Sequence, residues 1–126
     1  MTFDSSWEFE VYDFLKEHHI EFEYQVEPIH YDYDNETHYY FPDFLVHNHI
    51  YEVKGEQFFR INEITGKEEM FCPYRESEWT DEHYSWICGL YEAKHQCMIA
   101  NNVIILRKKD IDNLSLETFN LSSEVV

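Results

Sequence analysis

Hydrophobic positions recur at helical spacing from the start of the chain. Trp7, Val11, Phe14, Leu15 and His18 share one stripe and predict a helix opening at Ser5-Ser6-Trp7-Glu8. Ser5 and Glu8 stand at the capping-box spacing, in which each side chain satisfies an orphan backbone N–H of the first turn. The period then changes. Residues 20–27 alternate apolar and polar without a break, the mark of a half-buried strand. Asp32-Tyr33-Asp34-Asn35-Glu36-Thr37 reads as a turn and residues 39–46 as a second strand. His47-Asn48 is a tight turn, and a third strand runs from His49 or Ile50 to Lys54. Residues 56–76 show no clear period, with a turn expected at Thr65-Gly66 and a break at Pro73. A long helix is predicted over residues 80–101, with Asp81 and Glu82 at its positive end. His83, Trp86, Ile87, Leu90, Lys94, Cys97 and Met98 form its inner stripe. Asn102-Val103-Ile104-Ile105-Leu106 reads as a short buried strand, residues 110–119 as a last helix, and residues 121–126 as a frayed tail. This order describes an α/β fold with a mixed central β-sheet flanked by helices.

The length of 126 residues fits one domain over residues 1–126, with no linker or repeat to divide it. Hydrophobic residues at 44% are enough for a packed core and too many for a disordered tail. No window approaches the roughly 18 apolar residues of a membrane span, and no basic region followed by an apolar run opens the chain. A soluble, cytoplasmic protein without a membrane partner is expected. Cys72, Cys88 and Cys97 are an odd count at irregular spacing, which suits a reducing compartment better than a disulfide framework. They could join His83 and His95 in a zinc site, but there is no Cys-x-x-Cys pair. Small buried thiols on a helix explain Cys88 and Cys97 equally well.

The candidate chemistry lies between Phe41 and Gly55. If His47-Asn48 is a two-residue hairpin loop, Asp43 sits opposite Glu52 and Phe41 opposite Lys54. Strand side chains alternate, so Asp43, Glu52 and Lys54 emerge on one face. On the other, Phe44 faces Tyr51 and Val46 faces Val53, leaving an apolar surface to bury. Two carboxylates placed directly opposite one another repel. A sequence keeps such a pair more readily when a divalent cation sits between them. Oxygen-only ligands suit magnesium, with manganese as a substitute, and the backbone carbonyl of Val53 offers one more donor. A cation held there polarises a phosphoryl oxygen and acidifies a water, and Lys54 beside it can orient that water or neutralise developing charge.

Pro42-Asp43 followed by Glu52-Val53-Lys54 resembles the PD-(D/E)XK signature of restriction-endonuclease-like nucleases. With Ser5-Ser6-Trp7-Glu8 and Ile20-Glu21-Phe22-Glu23-Tyr24 upstream, residues 5–55 are similar to the bacteriophage endonuclease I branch, the Holliday-junction resolving enzymes. The late helix and residues 102–106 resemble that superfamily's core in a general way. The resemblance implies a restriction-endonuclease-like core and a magnesium-dependent endonuclease acting on DNA, branched DNA being the favoured substrate. It implies Glu8, Asp43, Glu52 and Val53 as metal ligands and Lys54 as the residue that positions water. Junction resolution takes two symmetric cuts, so a homodimer is implied too. A nicking, repair or mobile-element nuclease on ordinary duplex is the rival on the same scaffold.

Charge weighs against this reading. Nine Lys and Arg against 26 Asp and Glu give −17, whereas affinity for nucleic acid ordinarily comes from cations that displace counterions. Only Arg107-Lys108-Lys109 forms a basic cluster. A non-catalytic interaction module with a basic partner, or a subunit borrowing DNA affinity from a protein partner, is therefore the rival from another class. Other residues have bland explanations beside functional ones. Glu8 serves as a capping residue or a ligand; Asp43 and Glu52 as a solvated hairpin face or a metal pair. His47 and His49 are polar turn residues or substrate contacts. Lys94 is a snorkelling residue at the core edge or a phosphate contact. The tyrosines at 31, 33, 39 and 40 suit sheet packing more than a base-stacking platform.

Overall fold

The computed structural model describes residues 6–24 and 26–119. Helix α1 spans Ser6–Glu17 and buries Val11 and Leu15 on the expected stripe. Ser5, the other half of the expected capping box, lies outside the described residues. The alternating segment keeps its pattern, with Ile20, Phe22, Tyr24 and Val26 less exposed than the glutamates between them. Only Glu23–Tyr24 is hydrogen-bonded as a strand, β1. Its partner is the three-residue strand β4, Phe44–Val46, which gives β1 little to pair with.

The next two expected elements are placed differently, and the strand expected over residues 102–106 narrows to Ile104–Leu106. The tract read as a turn is a hairpin, β2 at Ile29–Tyr33 and β3 at Glu36–Tyr40, turning at Asp34-Asn35 alone. Both turn residues have positive φ, 53° and 62°, which a two-residue hairpin turn requires at both positions. The strand expected over residues 39–46 is broken at Phe41-Pro42-Asp43, and β3 and β4 belong to different sheets. Proline lacks the N–H that a continuous ladder needs, so the break falls there.

The second hairpin forms in the predicted register. Strand β5, His49–Val53, pairs with β4 so that Phe44 meets Tyr51, across a turn whose residues His47 and Asn48 again have positive φ, 49° and 67°. Val46 pairs with His49 rather than with Val53, since a two-residue loop closes on the residues beside it. Val53 pairs with Leu106 on β8, Ile104–Leu106, which runs parallel to β5. The sheet is mixed, in the order β1-β4-β5-β8.

Residues 56–70, which show no period, hold a 3₁₀ turn at Glu56–Phe58 and a hairpin of β6, Phe59–Ile61, with β7, Glu68–Met70. Helix α2 spans Asp81–Ala100, within one residue of expectation at each end. Thr80 caps it by accepting a hydrogen bond from the His83 N–H. Its inward face differs from the predicted stripe: His83 is exposed, and Cys88 and His95 are buried beside Cys97 and Met98. The helix packs against β2 and β7, and its two hairpin neighbours widen the covered face. The last helix is two pieces, α3 at Lys108–Asp112 and a 3₁₀ turn at Leu116–Phe119. Between them the Asn113 side chain donates to the Lys109 carbonyl and ends the first. The tail expected to fray lies outside the described residues.

Alternation along the strands builds a core on each side of the sheet. On one side Phe44, Val46, Tyr51, Val53 and Leu106 meet Val11, Leu15, Ile111 and Phe119. On the other, Tyr40, Met70, Cys97 and Met98 pack with Ile105. Cys72, Cys88 and Cys97 are buried free thiols. Among the described residues no helix is long and apolar enough to cross a membrane.

Candidate active site

Glu8, Asp43, Glu52, Val53 and Lys54 all line one cavity of about 450 Å³. Three elements deliver them. The first turn of α1 brings Glu8; the end of β5 brings Glu52 and Val53, with Lys54 just beyond; Asp43 lies one residue before β4. Lys54 is held in line because its N–H donates to the Leu106 carbonyl of β8.

Each carboxylate accepts a hydrogen bond from a neighbouring element. The Val53 N–H donates to Asp43 Oδ2 at 2.8 Å, which ties Asp43 to the strand bearing Glu52. The Tyr40 hydroxyl donates to Glu52 Oε1 at 2.8 Å, and the Tyr24 hydroxyl to Glu8 Oε1 at 3.0 Å. Glu8 and Glu52 are only 4% and 5% exposed, so neither is a solvated surface acid. Glu8 is buried in the cavity and accepts from Tyr24, which places its carboxylate with the other acids; the capping box expected with Ser5 lies outside the described residues.

Burial of several acids around one space raises their proton affinity. Asp43 is pushed up to about 8, first by burial and then by the negative charge of Glu52, with Glu8 adding to the rise. The Val53 hydrogen bond and the Lys54 ammonium oppose this. Glu52 is likewise raised by burial, against the pull of Lys94, the Tyr40 hydroxyl and Lys54. Tyr40 is raised too, by burial and by the charge on Glu52, and stays a hydrogen-bond donor. The Asp43 and Glu52 carboxyls therefore hold their protons more tightly than free ones, and a cation bound among them would favour the ionised forms.

The donors are hard oxygens, the class that magnesium and manganese take. Among the described residues no three His, Cys, Asp or Glu close into a metal cage. Magnesium does not require one: it keeps several waters and is commonly held by one or two carboxylates together with substrate phosphate. Asp43, bonded to the Val53 N–H, and Glu52, the residue before Val53, are the donors that suit it best, with Glu8 and the Val53 carbonyl as further ones.

Sequence reasoning did not connect two residues to the acids. Tyr40, expected to serve sheet packing, also donates to Glu52. Lys94, read as a snorkelling residue or a phosphate contact, acts on Glu52 by its charge, and its Nζ lies 5.8 Å from the centre of the Tyr40 ring. A lysine on the inner stripe of α2 was the one available signal. The Arg107-Lys108-Lys109 cluster is largely consumed elsewhere. Arg107 pairs with Glu56 and Glu68, and Lys108 with Asp112. His47 and His49 are exposed at the turn, and neither lines this cavity. Comparison with family models, curated proteins and solved structures finds no match to this chain.

Proposed function

We propose that this protein is a metal-dependent endonuclease that hydrolyses phosphodiester bonds in DNA, on a restriction-endonuclease-like core. Branched or otherwise distorted DNA is the favoured substrate. The observation that carries the reading is the convergence of Glu8, Asp43, Glu52, Val53 and Lys54 on one cavity, in the order of the PD-(D/E)XK signature. An antiparallel hairpin bearing the acids, followed by a helix and a strand parallel to β5, supports the choice of core.

Asp43 and Glu52 would hold magnesium, or manganese in its place, with Glu8 and the Val53 carbonyl completing the donor set. The metal supplies Lewis acidity toward a phosphoryl oxygen and toward the attacking water. Lys54 orients that water or neutralises charge developing on the phosphate. Val53, through its N–H, keeps Asp43 beside the strand bearing Glu52, the Tyr40 hydroxyl holds Glu52 in place, and the charge of Lys94 favours the ionised form of Glu52.

A non-catalytic module is the second reading. Its support is the charge of −17, with Arg60, Arg75, Arg107 and Lys108 all engaged in ion pairs. A manganese titration followed by calorimetry separates the two, and a cleavage panel of linear, nicked, four-way and single-stranded DNA then tests the activity. The enzyme reading requires metal binding that Asp43→Ala weakens, and cleavage of at least one substrate. Equal cleavage of junction and linear duplex would remove the preference for branched DNA and leave the nuclease in place.

Tyr40→Phe is expected to weaken metal binding about tenfold, the usual effect of losing a hydrogen bond that orients a ligand. It removes the donor from a buried carboxylate, so stability should also fall by about 1–2 kcal/mol. Unchanged manganese affinity in the folded variant would show that Glu52 needs no orienting partner.

A further inference from the structure

The cavity that gathers the acids is also lined by three aromatic rings, Trp7, Phe58 and Tyr74, and by a single Lys or Arg, Lys54. Lys54 Nζ lies 4.3 Å from the Phe58 ring centre. Phe58 meets Tyr74 edge-on at 6.0 Å, and Gln57 Nε2 donates to the Tyr74 hydroxyl at 3.2 Å. Lys54 lies over the Phe58 ring and Tyr91 is stacked on it, so Phe58 is part of the packing, and the row of contacts ends at Tyr74, which is 63% exposed. Tyr74 belongs to neither core, whereas Trp7 and Phe58 each pack against one. A ring braced by its neighbours yet open to solvent is suited to a partner that brings its own flat apolar face. Exposed rings also sit beside site residues in the chain, Phe9 after Glu8 and Phe41 two residues before Asp43.

Charge points the same way. A protein that grips duplex DNA from outside neutralises many phosphates. Here Arg60, Arg75, Arg107 and Lys108 are held by Glu69, Asp81, Glu56 with Glu68, and Asp112. Stacking on aromatic rings requires no such cations, but it does require an unpaired base. We propose that this site takes unpaired nucleotides: a base freed from its partner stacks on the exposed Tyr74 ring, which Phe58 braces edge-on, with the adjoining phosphate at Lys54 and the acids. The chemistry performed on that phosphate rests on the nuclease reading; the stacking does not.

Fluorescence anisotropy with labelled oligo(dT), oligo(U) and a duplex of the same length tests this, with calcium replacing magnesium to hold cleavage off. Single strands should bind at least about tenfold tighter than duplex, and the ratio of the two single strands reports whether the site accepts a 2′-hydroxyl. Tyr74→Ala should weaken single-strand binding about 5- to 100-fold, the range for losing one stacking ring, while Tyr74→Phe retains it. The salt dependence should be shallow, with a slope of about −0.7 for each of one or two phosphate contacts. Equal affinity for duplex and single strand, or full single-strand binding by folded Tyr74→Ala, would overturn the proposal, as would no binding by the native protein. Tyr74-dependent binding without cleavage of any substrate would sink the nuclease reading and leave the stacking site standing. Cleavage with no effect of Tyr74→Ala on binding would do the reverse.

Discussion

Replacing Asp43 by asparagine is expected to stabilise the metal-free protein, by an amount that grows with pH. Asparagine has the same size and keeps an oxygen to accept the Val53 N–H, so the change removes charge with little else. The folded protein holds the Asp43 proton up to about pH 8, against a value of 3.8 for an unperturbed aspartate, because burial and then Glu52 disfavour the anion. Below about pH 4 the carboxyl is protonated in folded and unfolded chains alike, and the substitution should be neutral. Between about pH 4 and 8 the unfolded chain has released a proton that the folded chain retains. Folding then takes up a proton, and native stability falls as pH rises. Above about 8 the folded protein carries the buried charge and the loss is complete. Each unit in that window corresponds to at most about 1.4 kcal/mol. With water entering an open cavity, the gain for Asp43→Asn is on the order of 3 kcal/mol at pH 8. Urea unfolding in chelator at about pH 5 and pH 8 checks it. A difference between variant and native protein that does not change with pH would show that Asp43 titrates normally. In excess manganese the order should reverse, because a bound cation stabilises only the chain that retains the carboxylate.

That inverted stability is a property of the site, and the parts of the site differ in how far the sequence exposes them. The Phe44–Tyr51 register was legible because it is local. A two-residue turn at His47-Asn48 leaves one pairing, and alternation then sends Phe44 and Tyr51 to the core and Asp43, Glu52 and Lys54 to the opposite face. The ends of α2 were legible for a similar reason, since Thr80 is an N-cap residue and the chain reverses at Asn101-Asn102. The β2–β3 hairpin was hidden by its own polarity. Its outward positions hold His30, Asp32 and Thr37, which look like loop residues, and the surface it covers lies about fifty positions away on α2, where Trp86 meets Tyr33 and Asp34. Strands β6 and β7 were obscured in the same way by Arg60 and Glu69, which bond to each other on the exposed side. The groups that act on Glu52, the Tyr40 hydroxyl by a hydrogen bond and Lys94 by its charge, come from different elements; no period or spacing in a single sequence links them.

Lys54→Ala should have the largest effect on turnover. Removing a positioned proton-transfer or charge-neutralising group lowers kcat by about 10² to 10⁴, and the fold should survive, because Lys54 is only half-buried and its strand bond to Leu106 uses the backbone N–H. The ammonium also acts on the acids: it lowers the proton affinity of both Asp43 and Glu52. Without it both carboxyls rise further, so metal binding and any residual cleavage should require higher pH. The deficit should therefore be greater at about pH 6.5 than at about pH 9, because the raised carboxyls are recovered only on the alkaline side. Lys54→Arg separates the two roles. A guanidinium restores the positive charge but not the compact ammonium, so the alkaline shift should largely vanish while kcat stays low. Both quantities come from one set of rate measurements across pH, on whichever substrate of the cleavage panel is cut fastest. Undiminished cleavage by Lys54→Ala would place the reactive centre elsewhere on the molecule. A parallel loss at every pH would mean that Lys54 serves the phosphate alone and leaves the charge of the acids to Lys94.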